Sequence, residues 1–273
     1  MKKTFLSILA IAAIAFSNCT TSSIEPTMGF QVDPTNFKGT ITQGTVSLDA
    51  SVEYNLTGAL IIENSAKLII PAGTVIKASG GTSAYIAVAQ GGKIYVDGTA
   101  TNPVVMTSSK ANPAAGDWGG FVICGKAPTN KGITATAEVS DLTYGGTVSN
   151  DSSGSIRYLR VEYTGATYNA SKEFNGVSLF AVGSGTTFEY VQSYNGGDDG
   201  LEFFGGSVNA KYIVSVNSGD DSVDFADGFT GSIENVYIKG VNKAGFEGSN
   251  NGDDGNATPV TTTTIKNATI IRG

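Results

Sequence analysis

The segment Gly197-Asp198-Asp199-Gly200-Leu201-Glu202-Phe203 returns 22 residues later as Gly219-Asp220-Asp221-Ser222-Val223-Asp224-Phe225. Tyr190-Val191-Gln192-Ser193 and Tyr212-Ile213-Val214-Ser215 share that offset, and a fainter third copy runs from Val236 to Gly245-Phe246-Glu247, about 23 residues on. Tyr158-Leu159-Arg160-Val161 reads as an earlier copy of the Tyr190 segment, separated from it by a longer inserted loop. Nearer the start the offset is 26: Ala66-Lys67-Leu68-Ile69-Ile70 is echoed by Gly92-Lys93-Ile94-Tyr95-Val96, and Leu60-Ile61-Ile62 by Ile86-Ala87-Val88. A chain that repeats itself every 22 to 26 residues folds by stacking one structural unit on the next.

The unit contains no helix, because no stretch of ten or more residues carries a helical period. Short apolar strands rich in Val, Ile, Thr, Tyr and Phe are broken by Gly, Asn and Asp, with 36 Gly against 7 Pro. Several strands per repeat at this period predict one turn of a right-handed parallel β-helix, rising about 4.8 Å per coil. Leucine-rich repeats share the period but need a Leu-x-x-Leu-x-Leu pattern and a helical half, and propeller blades are longer. The expected all-β solenoid spans residues 46–273. Its end, Ile265 to Gly273, reads as mid-coil strand text without a cap, so a continuation, a partner or a symmetry mate is expected to cover it.

Residues 1–18 read as a signal peptide: Met1-Lys2-Lys3 is basic, and the apolar run from Phe5 to Phe16 is too short to span a bilayer. Phe16-Ser17-Asn18-Cys19 resembles a lipobox, which predicts lipidation of Cys19; the alternative is a plain secretory signal with an incidental cysteine. Residues 19–45, rich in Thr, Ser, Gly and Pro, read as the lipidated cysteine and a flexible tether. The expected location is therefore the outer membrane of a bacterial cell envelope, with the membrane as a partner through the N-terminal lipid. Removing Lys2 and Lys3 leaves 15 basic against 24 acidic residues, a net charge of −9 that argues against nucleic acid as a partner. The absence of histidine excludes Ser-His-Asp and Cys-His nucleophile systems and disfavours a catalytic zinc. Cys124, inside Phe121-Val122-Ile123-Cys124, reads as a buried small hydrophobe.

Pro71-Ala72-Gly73-Thr74-Val75-Ile76, Asp97-Gly98-Thr99-Ala100-Thr101-Asn102-Pro103-Val104, Gly116-Asp117-Trp118-Gly119-Gly120-Phe121 and the two Gly-Asp-Asp segments resemble a group of exported or lipid-anchored β-helix proteins of Bacteroidota and some Proteobacteria. Their fold is similar to that of the pectate-lyase superfamily. The likeness runs from about residue 50 to 240. It implies the fold and export, and it implies no activity, because a fold does not carry one.

The chemistry-bearing candidates are Asp198, Asp199, Glu202, Asp220, Asp221 and Asp224, with Asp227 and Glu247 nearby. Residues 22 apart lie on adjacent coils, so Asp198 is expected on Asp220, Asp199 on Asp221 and Glu202 on Asp224. Like charges at that spacing repel, and three readings relieve them. The acids serve as turn formers that bond nearby backbone. They ligate a divalent cation, for which Ca2+ is the candidate. Or Asp198, Asp199, Asp220 and Asp221 are catalytic carboxylates. The Gly-Asp-Asp segments resemble, at three residues, a motif of polygalacturonase-type β-helix enzymes, but the associated histidine and Arg-Ile-Lys motif are missing. A lyase-like elimination would need a basic residue beside calcium, for which Lys211 and Lys239 are the candidates.

Trp118 reads as a core or coil-edge anchor, with a sugar-stacking platform as the alternative. Tyr158, Tyr163, Tyr190, Tyr194 and Tyr212 read as an aromatic stack, internal or exposed to a glycan, and Arg157 and Arg160 as surface partners of Glu162 and Glu189. The resulting expectation is a non-catalytic binding or scaffold module for glycan or a partner protein. It requires no cofactor, and any calcium is structural. The alternatives are a polysaccharide-degrading hydrolase or lyase using the Asp198–Asp224 surface, and an accessory subunit of an outer-membrane protein complex.

Overall fold

A computed structural model describes residues 29–169 and 172–272; residues 1–18, read as a signal peptide, and Cys19 lie outside the described residues. The chain is a right-handed parallel β-helix whose 18 main strands join in one continuous parallel sheet wrapped into three faces. The first face stacks Gly44–Ser47, Ala66–Pro71, Lys93–Asp97 and then the N-terminal halves of Gly154–Glu162, Thr187–Tyr194, Asn209–Val216, Ser232–Lys239 and Thr264–Ile271. The C-terminal halves of those five strands continue the second face, above the start of Glu53–Ile62, Val75–Ala78 and Val104–Ser108. The third face runs Ile86–Val88, Phe121–Cys124, Val177–Phe180, Leu201–Phe204, Val223–Ala226 and Glu247–Gly248.

The repeats read from the sequence are the observed registers. Leu68 pairs with Ile94 and Leu60 with Ile86 at offset 26; Ile213 follows Val191 at 22, and Val236 follows Ile213 at 23. The bend between the first and second faces falls on one residue per coil with positive φ: Tyr158, Tyr190, Tyr212, Asn235 and Asn267. Asn tolerates that conformation; for tyrosine it is costly, and here stacking offsets it, with rings 4.3 Å apart for Tyr158–Tyr190 and 4.4 Å for Tyr190–Tyr212.

Alternate side chains point inward and fill the tube: Leu68, Ile94, Ile156, Phe188, Ala210 and Ile233 on the first face are all fully buried. Trp118 is buried and donates its indole N–H to the Glu162 carbonyl at 2.8 Å, which makes it the anchor expected. The stack begins earlier than the expected boundary at residue 46. Phe37–Ile41 pairs with Glu53–Ile62, and Phe37 and Ile41 are fully buried. Two apolar residues among Lys, Gly and Thr carry no strand signal alone; the neighbouring coil supplies it.

Two insertions interrupt the coils. Residues 125–153 carry the antiparallel pair Ala135–Thr136 with Thr143–Tyr144, and residues 163–176 carry Thr167–Asn169 with Lys172–Glu173. Both fold over the outside of the third face. There Val122, Cys124, Phe180 and Phe204 meet Val139, Tyr144 and Phe174 in a second apolar cluster.

Candidate functional site

The outward column of the third face changes character along the axis. It reads Ala87, Val122, Ser178, Glu202, Asp224, Glu247 through successive rungs. The apolar end lies under the insertions, and the acidic end continues the same column. The Gly-Asp-Asp turns lead into this face. A backbone N–H donates from Gly219 to the Asp198 carbonyl at 3.0 Å, and another from Asp221 to the Asp199 carboxylate at 2.8 Å. Asp199 therefore acts as a coil-to-coil turn former, as one of the three readings expects. The same geometry brings the acids together. One carboxylate oxygen from each of Asp198, Asp199 and Asp220 lie within 4.8 Å of one another, and so do those of Asp199, Glu202 and Asp224.

Crowding and burial hold Asp198, Asp199, Glu202 and Asp224 protonated to unusually high pH. Burial, then the charges of Glu173 and Asp220, pushes Asp198 up to about 7; burial pushes Asp199 up to about 8. Glu202 is raised well above the carboxylate range by burial and by Asp224, and Asp224 is raised by burial. Glu202 and Asp224 share a hydrogen bond, and the Asn175 amide donates to Glu202 at 2.6 Å. Asp221, almost fully buried, is pushed up to about 6 by burial and by its contact with Glu247.

Three members of the site were not read from the sequence. Lys243 lies 3.1 Å from Asp220, 3.0 Å from Asp221 and 2.7 Å from Glu247. Neither Lys211 nor Lys239 is at the site: Lys211 sits on the first face beside Glu189 and Glu234, and Lys239 on the second. Glu138, on the first insertion, is raised by burial and feels Asp224 and Asp227. Asn175 is 2% exposed, and its side-chain oxygen has no hydrogen-bond partner. The ion pair of Lys243 predicts that Lys243→Gln lowers the melting temperature, and by more at pH 8 than at pH 4, where Asp221, pushed up to about 6, has taken up its proton. An equal loss at both pH values would mean that the lysine acts through packing instead.

A concavity lies on the opposite side of the coil from the acidic column, at the bend between the first and second faces. It is an open groove of about 500 Å³, lined by Tyr158, Tyr190, Tyr212, Tyr237, Gln192 and Asn235 among others. Its rings run along the axis, and Tyr212 and Tyr237 are 44% and 38% exposed. Tyr163 and Tyr194 form a separate edge-on pair at 5.9 Å. Arg160 and Arg157 pair with Glu162 and Glu189, so the groove margin carries little net charge.

A family model described as a pectate-lyase like beta helix domain matches residues 39–273. No curated protein and no solved structure gives a significant match to the chain.

Proposed function

The chain belongs to the pectate-lyase-like β-helix domain family, and from that premise we propose that it is a non-catalytic envelope module that binds a glycan along the tyrosine groove. The observation that carries this reading is the run of half-buried Tyr158 and Tyr190 and exposed Tyr212 and Tyr237 in one open trough beside Gln192 and Asn235. Aromatic side chains combine apolar area with a polar edge, and a binding groove pairs such surface with a few polar groups that fix orientation. The solenoid repeats at about 4.8 Å, so the contacts recur along the axis, which suits an extended polymer. The near-neutral margin favours a neutral polysaccharide. Lipid on Cys19 would hold the module at the outer membrane; the sequence alone supports this anchor.

The test is electrophoresis through gels containing neutral polysaccharides. The protein is expected to be retarded by one of them, and Tyr212→Ala with Tyr237→Ala to weaken the retardation at least tenfold, about 1.4 kcal/mol, without lowering the melting temperature by much. Unaltered mobility in every gel would remove the glycan reading. Stoichiometric co-purification with an outer-membrane protein would then support an accessory subunit instead.

A second reading, polysaccharide cleavage, is favoured by one observation: Asp198 and Asp199 exchange protons near neutral pH, where a general acid is most effective. Release of product from a polysaccharide, lost in Asp199→Asn with the fold intact, would establish it in place of the binding reading.

A further inference from the structure

Resting on the glycan reading, we infer that the tyrosine groove holds the end of a polysaccharide chain and not an internal stretch of it. The terminal sugar sits against the loop of residues 98–103, and the chain leaves along the axis past Tyr237. The groove is walled at one end and open at the other, and that asymmetry selects a chain end.

The wall follows from the register. Asp97 pairs with Arg157 and Val104 with Leu159, so the six residues 98–103 span a corner that the next coil turns with Tyr158 alone. Val96 and Val104 are fully buried, which leaves no room inside the tube, and the extra residues bow outward. The loop is held on both sides. Gly98 donates to the Arg157 carbonyl at 3.1 Å, and Gly73 of the preceding coil donates to the Asn102 carbonyl at 3.1 Å. Across the turn, the Thr99 N–H donates to the Asn102 carbonyl at 3.0 Å and the Asn102 N–H to the Thr99 hydroxyl at 3.1 Å. A Cβ on Gly98 would stand 2.9 Å from that of Tyr158, so the loop backbone lies directly against the first tyrosine. Thr99, Ala100 and Pro103 line that end of the groove. Toward the other end the corner stays one residue wide, at Asn235 and Asn267, and among the described residues no loop rises from it.

From Tyr158 to Asn235 the groove covers three coil steps, about 14 Å at about 4.8 Å per step, which is room for a short oligosaccharide. Next to the wall, on the coil of Tyr158, Arg160 presents a guanidinium that is 43% exposed and paired with Glu162. A terminal sugar keeps a hydroxyl that an internal unit has given up to its linkage. A charged donor at the closed end is a strong partner for that hydroxyl, whereas Gln192 and Asn235, further along, are neutral. A polymer that crossed the groove without ending in it would have to climb over the loop and lose its contact with Tyr158 and Arg160.

The test is competition against gel retardation, with soluble neutral glucan, xylan or mannan added at equal mass, either intact or after partial acid hydrolysis. Hydrolysis multiplies chain ends and leaves the number of sugars nearly unchanged. Competition per unit mass is therefore expected to rise in proportion to the ends created. Ala100 is exposed at the closed end. Ala100→Trp, which fills that end, is expected to weaken binding of the hydrolysate roughly tenfold with the melting temperature unchanged. Intact and hydrolysed polymer competing equally per unit mass would overturn the chain-end inference and leave the glycan reading standing. A hydrolysate that binds Ala100→Trp undiminished would do the same. Retardation in no gel would remove both.

Discussion

Gly219→Ala is expected to lower the melting temperature by roughly 8–16 °C, the shift for about 4 kcal/mol in a domain of this size. A Cβ on Gly219 would stand 2.0 Å from the Gly197 carbonyl oxygen and 2.4 Å from its carbon. Both are backbone atoms of the coil beneath, so no side chain can rotate out of the way. The φ of Gly219 is not positive, so the cost is contact and not backbone strain. To admit the methyl group the two turns must separate. Separation stretches the Gly219-to-Asp198 hydrogen bond at 3.0 Å and the Asp221-to-Asp199 bond at 2.8 Å. It also pries apart the ladder in which Leu201 faces Val223 and Phe203 faces Phe225. The disturbance does not stay local, because each coil is held only by its neighbours. Gly252→Ala is the control: nothing lies within 4 Å of a Cβ there, and its melting temperature should stay within about 1 °C. A wild-type melt for Gly219→Ala, read by circular dichroism, would mean that the turns are not stacked as described.

The same glycine shows why the solenoid was legible in the sequence. Gly197 and Gly219 recur at 22 because successive coils touch through backbone there, and Glu202 and Asp224 recur because their rungs pair. The repeat thus fixed which acids share a column before any coordinates. Where the motif decays, legibility fails for identifiable reasons. At the next offset of 23, Gly219-Asp220-Asp221 becomes Asn242-Lys243-Ala244, and the backbone N–H of Lys243 donates to the Asp220 carbonyl at 3.2 Å. The register read from Gly245-Phe246-Glu247 already placed Lys243 beside Asp220; reading only for repeated acids passed over the cation that answers them. Asn175-Gly176 likewise aligns with Asp199-Gly200, but an uncharged residue gave no signal of its own. Glu138 is different. It reaches the acids from an insertion that belongs to no coil, so no periodicity could have positioned it. The start of the stack at Phe37 was missed because its strand is stabilised by pairing with Glu53–Ile62 and not by its own pattern.

In chelator-treated protein, raising the pH from 5 to 9 is expected to lower the melting temperature by roughly 6–12 °C, for a loss of about 3 kcal/mol. The sign follows from the direction of the shifts. Asp198 is pushed up to about 7, Asp199 to about 8 and Asp221 to about 6, with Glu202, Asp224, Asp227 and Glu138 also raised, burial being the first cause in each. A carboxyl whose folded pKa lies above its unfolded value binds more protons in the native state. Its full contribution is therefore present below about pH 4 and is lost as pH climbs through the folded value. Groups shifted the other way act elsewhere: Asp117, Asp253 and Glu247 are lowered, so their contribution fades only below about pH 4. The Cys124 thiol, pushed up to about 12 by burial, stays neutral throughout. Treating the carboxyls as independent would give far more than 3 kcal/mol. Their protons are shared, as between Glu202 and Asp224, and each ionisation suppresses the next, so the smaller figure applies. Differential scanning calorimetry across the range measures the slope directly. A flat profile between pH 5 and 9 would mean that the carboxylates splay into water and form no cluster at all.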